Sequence, residues 1–151
     1  MDASFDSAVA EVEEQLGVLF SRVRLVYKEG AAHIHPDLKP VGYKLLSAIV
    51  RLGETNASVL ADLFETDKAV VSRQVRMLEE VGLVVSSADA NDGRARVLTP
   101  TPAAVERVRA ARSRQQERLQ NLLRSRPLEE VRVFADMLHL ISGGGAAPGA
   151  S

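Results

Sequence analysis

The sequence predicts a mainly α fold that carries one small β-hairpin. Three observations predict it: apolar residues recur at spacings of three and four through most of the chain, the period turns strand-like within 83–98, and capping or breaking residues separate the periodic stretches. With 151 residues and 46% hydrophobic composition, the chain can bury one respectable core.

Each element follows in order. Over 5–27, Val9, Val12, Leu16, Leu19, Val23 and Val26 keep helical spacing, giving one long amphipathic helix whose length points to a partner. Gly30, Ala31, Ala32 and the region of Pro36 and Pro40 are expected to break it. Val41, Leu45, Leu46, Ile49, Val50 and Leu52 restart the pattern, and Gly53 supplies a C-terminal stop. Asn56 or Ser58 caps a short third helix carrying Val59, Leu60, Leu63 and Phe64, and Asp67 caps a fourth that runs to Gly82. Leu83, Val84 and Val85 read as a brief strand, 86–93 as a polar turn and 95–98 as the returning strand. Thr99, Pro100, Thr101 and Pro102 combine capping side chains with prolines suited to a first helical turn, so a fifth helix starts there and runs to about Arg124. Beyond Pro127, a sixth helix over 128–141 sets Val131, Phe134, Ala135, Leu138 and Ile141 on one face. The glycine- and alanine-rich end has nothing to bury, so 143–151 is expected to be a disordered tail.

Composition removes several function classes. A net charge of -1 gives no global attraction to nucleic acid, so such binding has to rest on locally clustered charge. The absence of cysteine excludes disulfides, thiolate metal sites, cysteine nucleophiles and thiol redox sensing, and fits a reducing cytoplasm. No stretch approaches the roughly 20 apolar residues of a membrane span, and the acidic start at Asp2 lacks the positive flank of a signal peptide. There is no serine elbow, glycine-rich phosphate loop or metal-ligand spacing, so no enzyme, cofactor or metal is expected.

Helix, tight turn, helix and hairpin across 58–98 are the layout of a winged helix-turn-helix. In the fourth helix Val71, Val75 and Leu78 suit a core face, which turns Lys68, Ala69, Ser72, Arg73 and Arg76 outward on a basic, small-residue face that fits a major groove. Arg73 is long enough to bridge guanine O6 and N7, while Ser72 or Lys68 reaches a base edge or phosphate. At the hairpin tip, Asp92 and Gly93 precede Arg94 and Arg96, where the glycine allows a tight bend and the guanidinium groups suit a minor groove or phosphates. Ser58 completes the expected DNA-binding set.

Leu60, Ala61, Phe64, the run from Asp67 to Arg73, the run from Leu78 to Val84 and the wing sequence from Asp92 to Pro100 resemble the MarR family of transcriptional regulators. The motifs cover 56–100; the remainder matches by helix order and length. Two positions depart from a helix-turn-helix template. Glu65 stands where the turn often has glycine, which it can do in an ordinary backbone conformation, and Thr66 replaces the usual aliphatic residue. The resemblance implies that Ser72 and Arg73 probe the major groove, Arg94 enters the minor groove and Asp92 helps to hold Arg94. It also implies a homodimer built from the first, fifth and sixth helices, a pseudo-palindromic duplex operator, and repression relieved by a small aromatic effector.

The domain division expected is therefore 1–40 as a dimerization helix and loop, 41–100 as the DNA-binding domain and 101–142 as C-terminal dimerization helices. His33 and His35 straddle Ile34, and a metal site there would have to recruit carboxylates from elsewhere. With Tyr27 and Tyr43 they are instead the candidates for an effector pocket. The arginines of the fifth helix, Arg107 among them, read as a solvated face. Rival readings are a winged-helix docking module, a ligand-binding protein without DNA activity, and a monomeric helical bundle.

Overall fold

A computed structural model describes residues 3–143 of the chain. Its elements are α1 (Ala3–Ile34), α2 (Pro40–Leu52), α3 (Ala57–Leu63), α4 (Lys68–Glu80), β1 (Val84–Ala88), β2 (Arg96–Pro100), α5 (Pro102–Arg124) and α6 (Leu128–Ile141). The mainly helical architecture with one two-stranded antiparallel hairpin is the one the sequence predicts. The chain forms two compact units, Met1–Ala111 and Arg112–Ser151, and the division falls inside α5. Of the tail expected to be disordered, 144–151 lie outside the described residues.

In the first unit, Leu45, Leu46 and Ile49 of α2, Leu60 of α3, Val71 and Leu78 of α4, Leu83 and Val108 are fully buried in one core. Ala31 and Ile34 of α1 and Ala104 and Ala111 of α5 join it. The helix-turn-helix is thus sealed by both flanking helices; 41–100 alone does not close its own core.

The break expected after Tyr27 does not occur, because α1 continues through Gly30 to Ile34. Packing explains the difference. A Cβ on Gly30 would lie 3.2 Å from the ring of Tyr43, so glycine serves here as a point of close approach between α1 and α2 rather than as a stop. Burial of Ala31 and Ile34 outweighs glycine's cost of about 1 kcal/mol in a helix interior. Arg107, expected on a solvated face, donates from Nη1 to the carbonyl of Ile34 at 3.0 Å and so satisfies a C-terminal orphan of α1.

Local signals settle the other boundaries. Of the two candidate caps for α3, Asn56 does the work, with Oδ1 accepting from the Val59 amide at 2.9 Å. Asp67 occupies the N-cap of α4 with extended backbone and makes no side-chain capping bond. Thr101 accepts from the Ala104 amide at the start of α5 and donates its hydroxyl to Gly82, at 3.3 and 2.9 Å, which fastens α5 to the end of α4.

The hairpin is longer than the sequence suggests. Ser86, Ser87 and Ala88, expected in the turn, pair with Leu98, Val97 and Arg96. The second strand also runs past Leu98 to Pro100, opposite Val84. A wing exposed on most of its surface needs no apolar alternation, so polar strand residues carry no periodic mark. A further backbone pair, Thr55 with Leu98, adds a bridge to the hairpin that the sequence does not announce.

The ends of α3 and α4 are closed by the same device on different residues. After α4, Gly82 has φ 75°, its amide donates to Glu79 and the Leu83 amide donates to Leu78. After α3, Glu65 has φ 48°, its amide donates to Asp62 and the Thr66 amide donates to Ala61. Both are Schellman closures, which require a left-handed residue at the first position past the cap. The ordinary conformation expected of Glu65 is therefore not the one adopted, because only the left-handed turn satisfies both carbonyls while redirecting the chain into α4. A non-glycine residue there costs on the order of 1–2 kcal/mol.

The second unit contains the end of α5 and all of α6. Among its described residues α6 buries none, and Leu119, Leu122, Leu128, Phe134, Leu138 and Ile141 are exposed. The first two-thirds of α1, in the first unit, likewise expose Phe5, Val9, Val12, Leu19 and Val23.

The turn yields a direct prediction. Glu65→Gly should relieve the left-handed strain and, after the extra entropy of the unfolded glycine, raise stability by about 1 kcal/mol, whereas Glu65→Val should lower it. Urea unfolding of the three proteins measures this; equal midpoints would show that the turn holds no such strain.

Candidate nucleic-acid interface

Helix α4 is amphipathic because Val71, Val75 and Leu78 recur at four and three, and all three are buried as the pattern requires. Lys68, Ala69, Ser72, Arg73 and Arg76 are all exposed on the other side. The structure divides that outward set. Lys68, Ser72 and Arg76 line a groove between α4, the start of α3 and the wing, with a cavity volume of about 580 Å³. Ala69 and Arg73 are exposed on α4 but do not line it.

The wing and α3 provide the other walls: Asn56, Ala57, Ser58, Ser86, Arg94, Ala95 and Arg96. The groove thus gathers four cationic side chains, Lys68, Arg76, Arg94 and Arg96, with the hydroxyls of Ser58, Ser72 and Ser86. Such a concentration of guanidinium, ammonium and hydroxyl donors suits an anionic backbone, whatever the net charge of the chain.

Arg96 is held in place. Its Nε donates to Ser86 Oγ at 2.8 Å and its Nη2 to the Ser86 carbonyl at 2.9 Å, across the hairpin from strand to strand. Arg94 stands differently. The Asp92 carboxylate accepts from the Arg94 backbone amide at 3.1 Å, and among the described residues there is no ion pair between the two side chains. Asp92 therefore shapes the backbone that carries Arg94, whose exposed side chain lines the groove. Asp89 does the same for Asn91, whose amide it accepts at 2.9 Å. Gly93, expected to permit a tight bend, is absent from the positive-φ positions, and a Cβ there would meet nothing within 4 Å. The two aspartates shape this tip through local turns of their own.

The candidate effector residues separate into two groups. Tyr27 and Tyr43 meet edge to face with centroids 5.7 Å apart, and Lys44 Nζ sits 4.8 Å from the centre of the Tyr27 ring. Tyr43 is only 3% exposed, as a core residue. His33 donates from Nδ1 to the Glu29 carbonyl at 2.9 Å, and His35 Nδ1 accepts from the Asp37 amide at 3.2 Å. Both imidazoles thus serve the local backbone at the end of α1.

Asn56, Ser86 and Glu79 belong to the groove although the sequence reading left them out of the site. Asn56 and Ser86 depended on cap choice and hairpin register. Glu79 was legible: it stands seven residues beyond Ser72 and three beyond Arg76, on one helical stripe.

Comparison with known proteins addresses the same region. Residues 37–95, which contain α2, the helix-turn-helix and most of the wing, match the model of the MarR family. Over this region the chain is similar to the MarR family. The chain is 27% identical over 115 residues to the uncharacterized HTH-type transcriptional regulator YxaD of Bacillus subtilis, covering 76% of this chain and 80% of that protein. Its fold is similar to that of Streptococcus pneumoniae FabT solved in complex with DNA, with a TM-score of 0.81 at 15% identity, covering 89% of this chain and 95% of that one. The YusO protein of Bacillus subtilis matches with a TM-score of 0.70 at 20% identity, over 96% of this chain and 100% of the other. Among the described residues no helix is long and apolar enough to cross a membrane.

The wing geometry makes Arg96 a residue that shapes the groove. Arg96→Ala removes two bonds across the hairpin, worth about 1 kcal/mol together at this exposed position. Amides of β1 and β2 should then exchange with solvent roughly fivefold faster while the helical core keeps its protection. Unchanged exchange in the strands would show that the contact to Ser86 does not brace the wing.

Proposed function

We propose that this chain is a sequence-specific, DNA-binding transcriptional regulator that acts as a homodimer on a pseudo-palindromic duplex site. The observation that carries the proposal is the groove in which Lys68 and Arg76 of α4 face Arg94 and Arg96 of the wing across serine hydroxyls. A duplex backbone fits that arrangement, since phosphate contacts from both elements would hold α4 in the major groove with Ala69 and Arg73 turned to the base edges. The DNA complex of the structurally similar FabT supports the same reading.

The dimer rests on exposed apolar surface. Phe5, Val9 and Val12 on α1, and Phe134, Leu138 and Ile141 on α6, have no covering partner within the unit each belongs to. Helices that amphipathic bury their stripes against something, and a second copy supplies the matching surface under two-fold symmetry. The parts thus divide by role into 1–40 and 101–142 for assembly and 41–100 for DNA. The regulatory arm is repression relieved in the cytoplasm by a small aromatic acid, bound near Tyr27, His33, His35 and Tyr43, with Lys44 as the cation. Because Tyr43 is packed in the core, Tyr27→Ala is the cleaner probe, and calorimetry in which aromatic carboxylates bind it as they bind wild type would remove that arm.

Arg73 and Arg94 should fail differently. Arg73→Ala should flatten discrimination at one base position in each half-site, at a cost on the order of 1–3 kcal/mol for the preferred sequence, and affect random duplex less. Arg94→Ala should weaken preferred and random duplexes more evenly and lower the salt slope by about one counterion per subunit. Titrations at several salt concentrations, on protein that sediments as a dimer at micromolar concentration, test both. If the two variants bind both duplexes like wild type, the wing and α4 do not face DNA, and a docking module becomes the better reading.

A further inference from the structure

The groove that gathers four cationic side chains also contains one carboxylate. Glu79 lines it at the C-terminal end of α4, on the stripe that carries Lys68, Ser72 and Arg76. Among the described residues its carboxylate makes no hydrogen bond and no ion pair with the arginines beside it. The wing carboxylates Asp89 and Asp92 differ, since each accepts a backbone amide of its own turn.

We propose that Glu79 is an affinity-limiting residue of the DNA interface, a fixed negative charge that holds back the phosphate backbone at one end of the groove. The inference rests on the DNA reading above. Position decides what the carboxylate meets. Helix-turn-helix proteins reach base edges from the first turns of the reading helix, and Glu79 stands in the last turn of α4, beside the wing, where backbone passes rather than bases. Its charge adds to the negative end of the helix dipole, and the last turn of α4 holds no basic residue to offset either. The groove is thus polarised, positive from Lys68 toward Arg76 and negative at Glu79. Phosphates drawn in by Arg94 and Arg96 approach within a Debye length of that carboxylate, so the repulsion is not screened away at physiological salt.

The consequence is a weaker sequence-independent term. Phosphate contact supplies nearly all non-specific affinity, and a regulator held too tightly by random duplex is titrated by it. One carboxylate in each subunit lowers that background while leaving the base-facing residues Ala69 and Arg73 untouched.

Glu79→Gln tests the inference, with Glu80→Gln as the control, because Glu80 is an exposed neighbour that does not line the groove. Removing a carboxylate from a helix C-terminus relieves an unfavourable dipole interaction, so the variant should fold at least as well as wild type, which thermal unfolding verifies. Binding of a random duplex and of a duplex selected from a random library is then titrated across salt. Glu79→Gln should tighten both, on the order of fivefold at low salt, and steepen the fall of affinity with salt; Glu80→Gln should change each less than about twofold. Affinity unchanged or reduced in Glu79→Gln, or an equal gain in Glu80→Gln, overturns the inference while the DNA reading stands. A wild-type chain showing no salt-dependent duplex binding removes the DNA reading and this inference together.

Discussion

Two backbone hydrogen bonds between Thr55 and Leu98, at 3.1 and 2.8 Å, join the segment that starts the helix-turn-helix to the second strand of the wing. Everything that makes the groove depends on this clip. Asn56, the next residue, caps α3, while Leu98 is buried among the core side chains and carries the strand that begins with Arg96. The walls of the groove are therefore neighbours of one pinned point. Each bond contributes only about 1 kcal/mol net, but the clip shares its core with Leu60, Leu78 and Leu83, so loosening it would also disturb apolar burial. Thr101 closes the other end by donating its hydroxyl to Gly82 and its amide to Leu83, so the exit of α4 and the entry of α5 are tied as firmly as the entry of α3.

Much of this was legible because burial leaves a periodic trace. Val71, Val75 and Leu78 identify the core face of α4, Gly53 marks the end of α2, and Pro102 marks the start of α5, each through local chemistry that tertiary context did not override. What escaped depends on pairing or on long-range packing. The extension of α1 past Gly30 requires Tyr43 of α2, the strand character of Ser86 and Ser87 requires their partners on β2, and the bridge at Thr55 has no sequence mark at all. Glu65 is the instructive case. The sequence identifies the position as one that favours glycine, yet the pattern cannot say that the chain retains the left-handed turn and leaves glutamate to bear it.

Within the candidate site, residue types were readable and their grouping was not. Helical spacing turns Lys68, Ser72, Arg73 and Arg76 outward together, but only the position of the wing separates Arg73 from the groove-lining three. The hairpin arginines also divide, since Arg96 is spent on bracing Ser86 while Arg94 is presented by a backbone that Asp92 has shaped. A chain with net charge -1 can thereby offer a strongly cationic groove, and Glu79 tempers it from within.

That α4 and the wing act as one duplex-binding surface is tested most directly by mapping backbone amide shifts while a random DNA duplex is titrated into the full chain. Shifts should concentrate at the start of α3, along 68–76 of α4, at Ser86 and at 94–96, and should fade as salt is raised. Shifts confined to α1 or α6, or none under low salt, would contradict it.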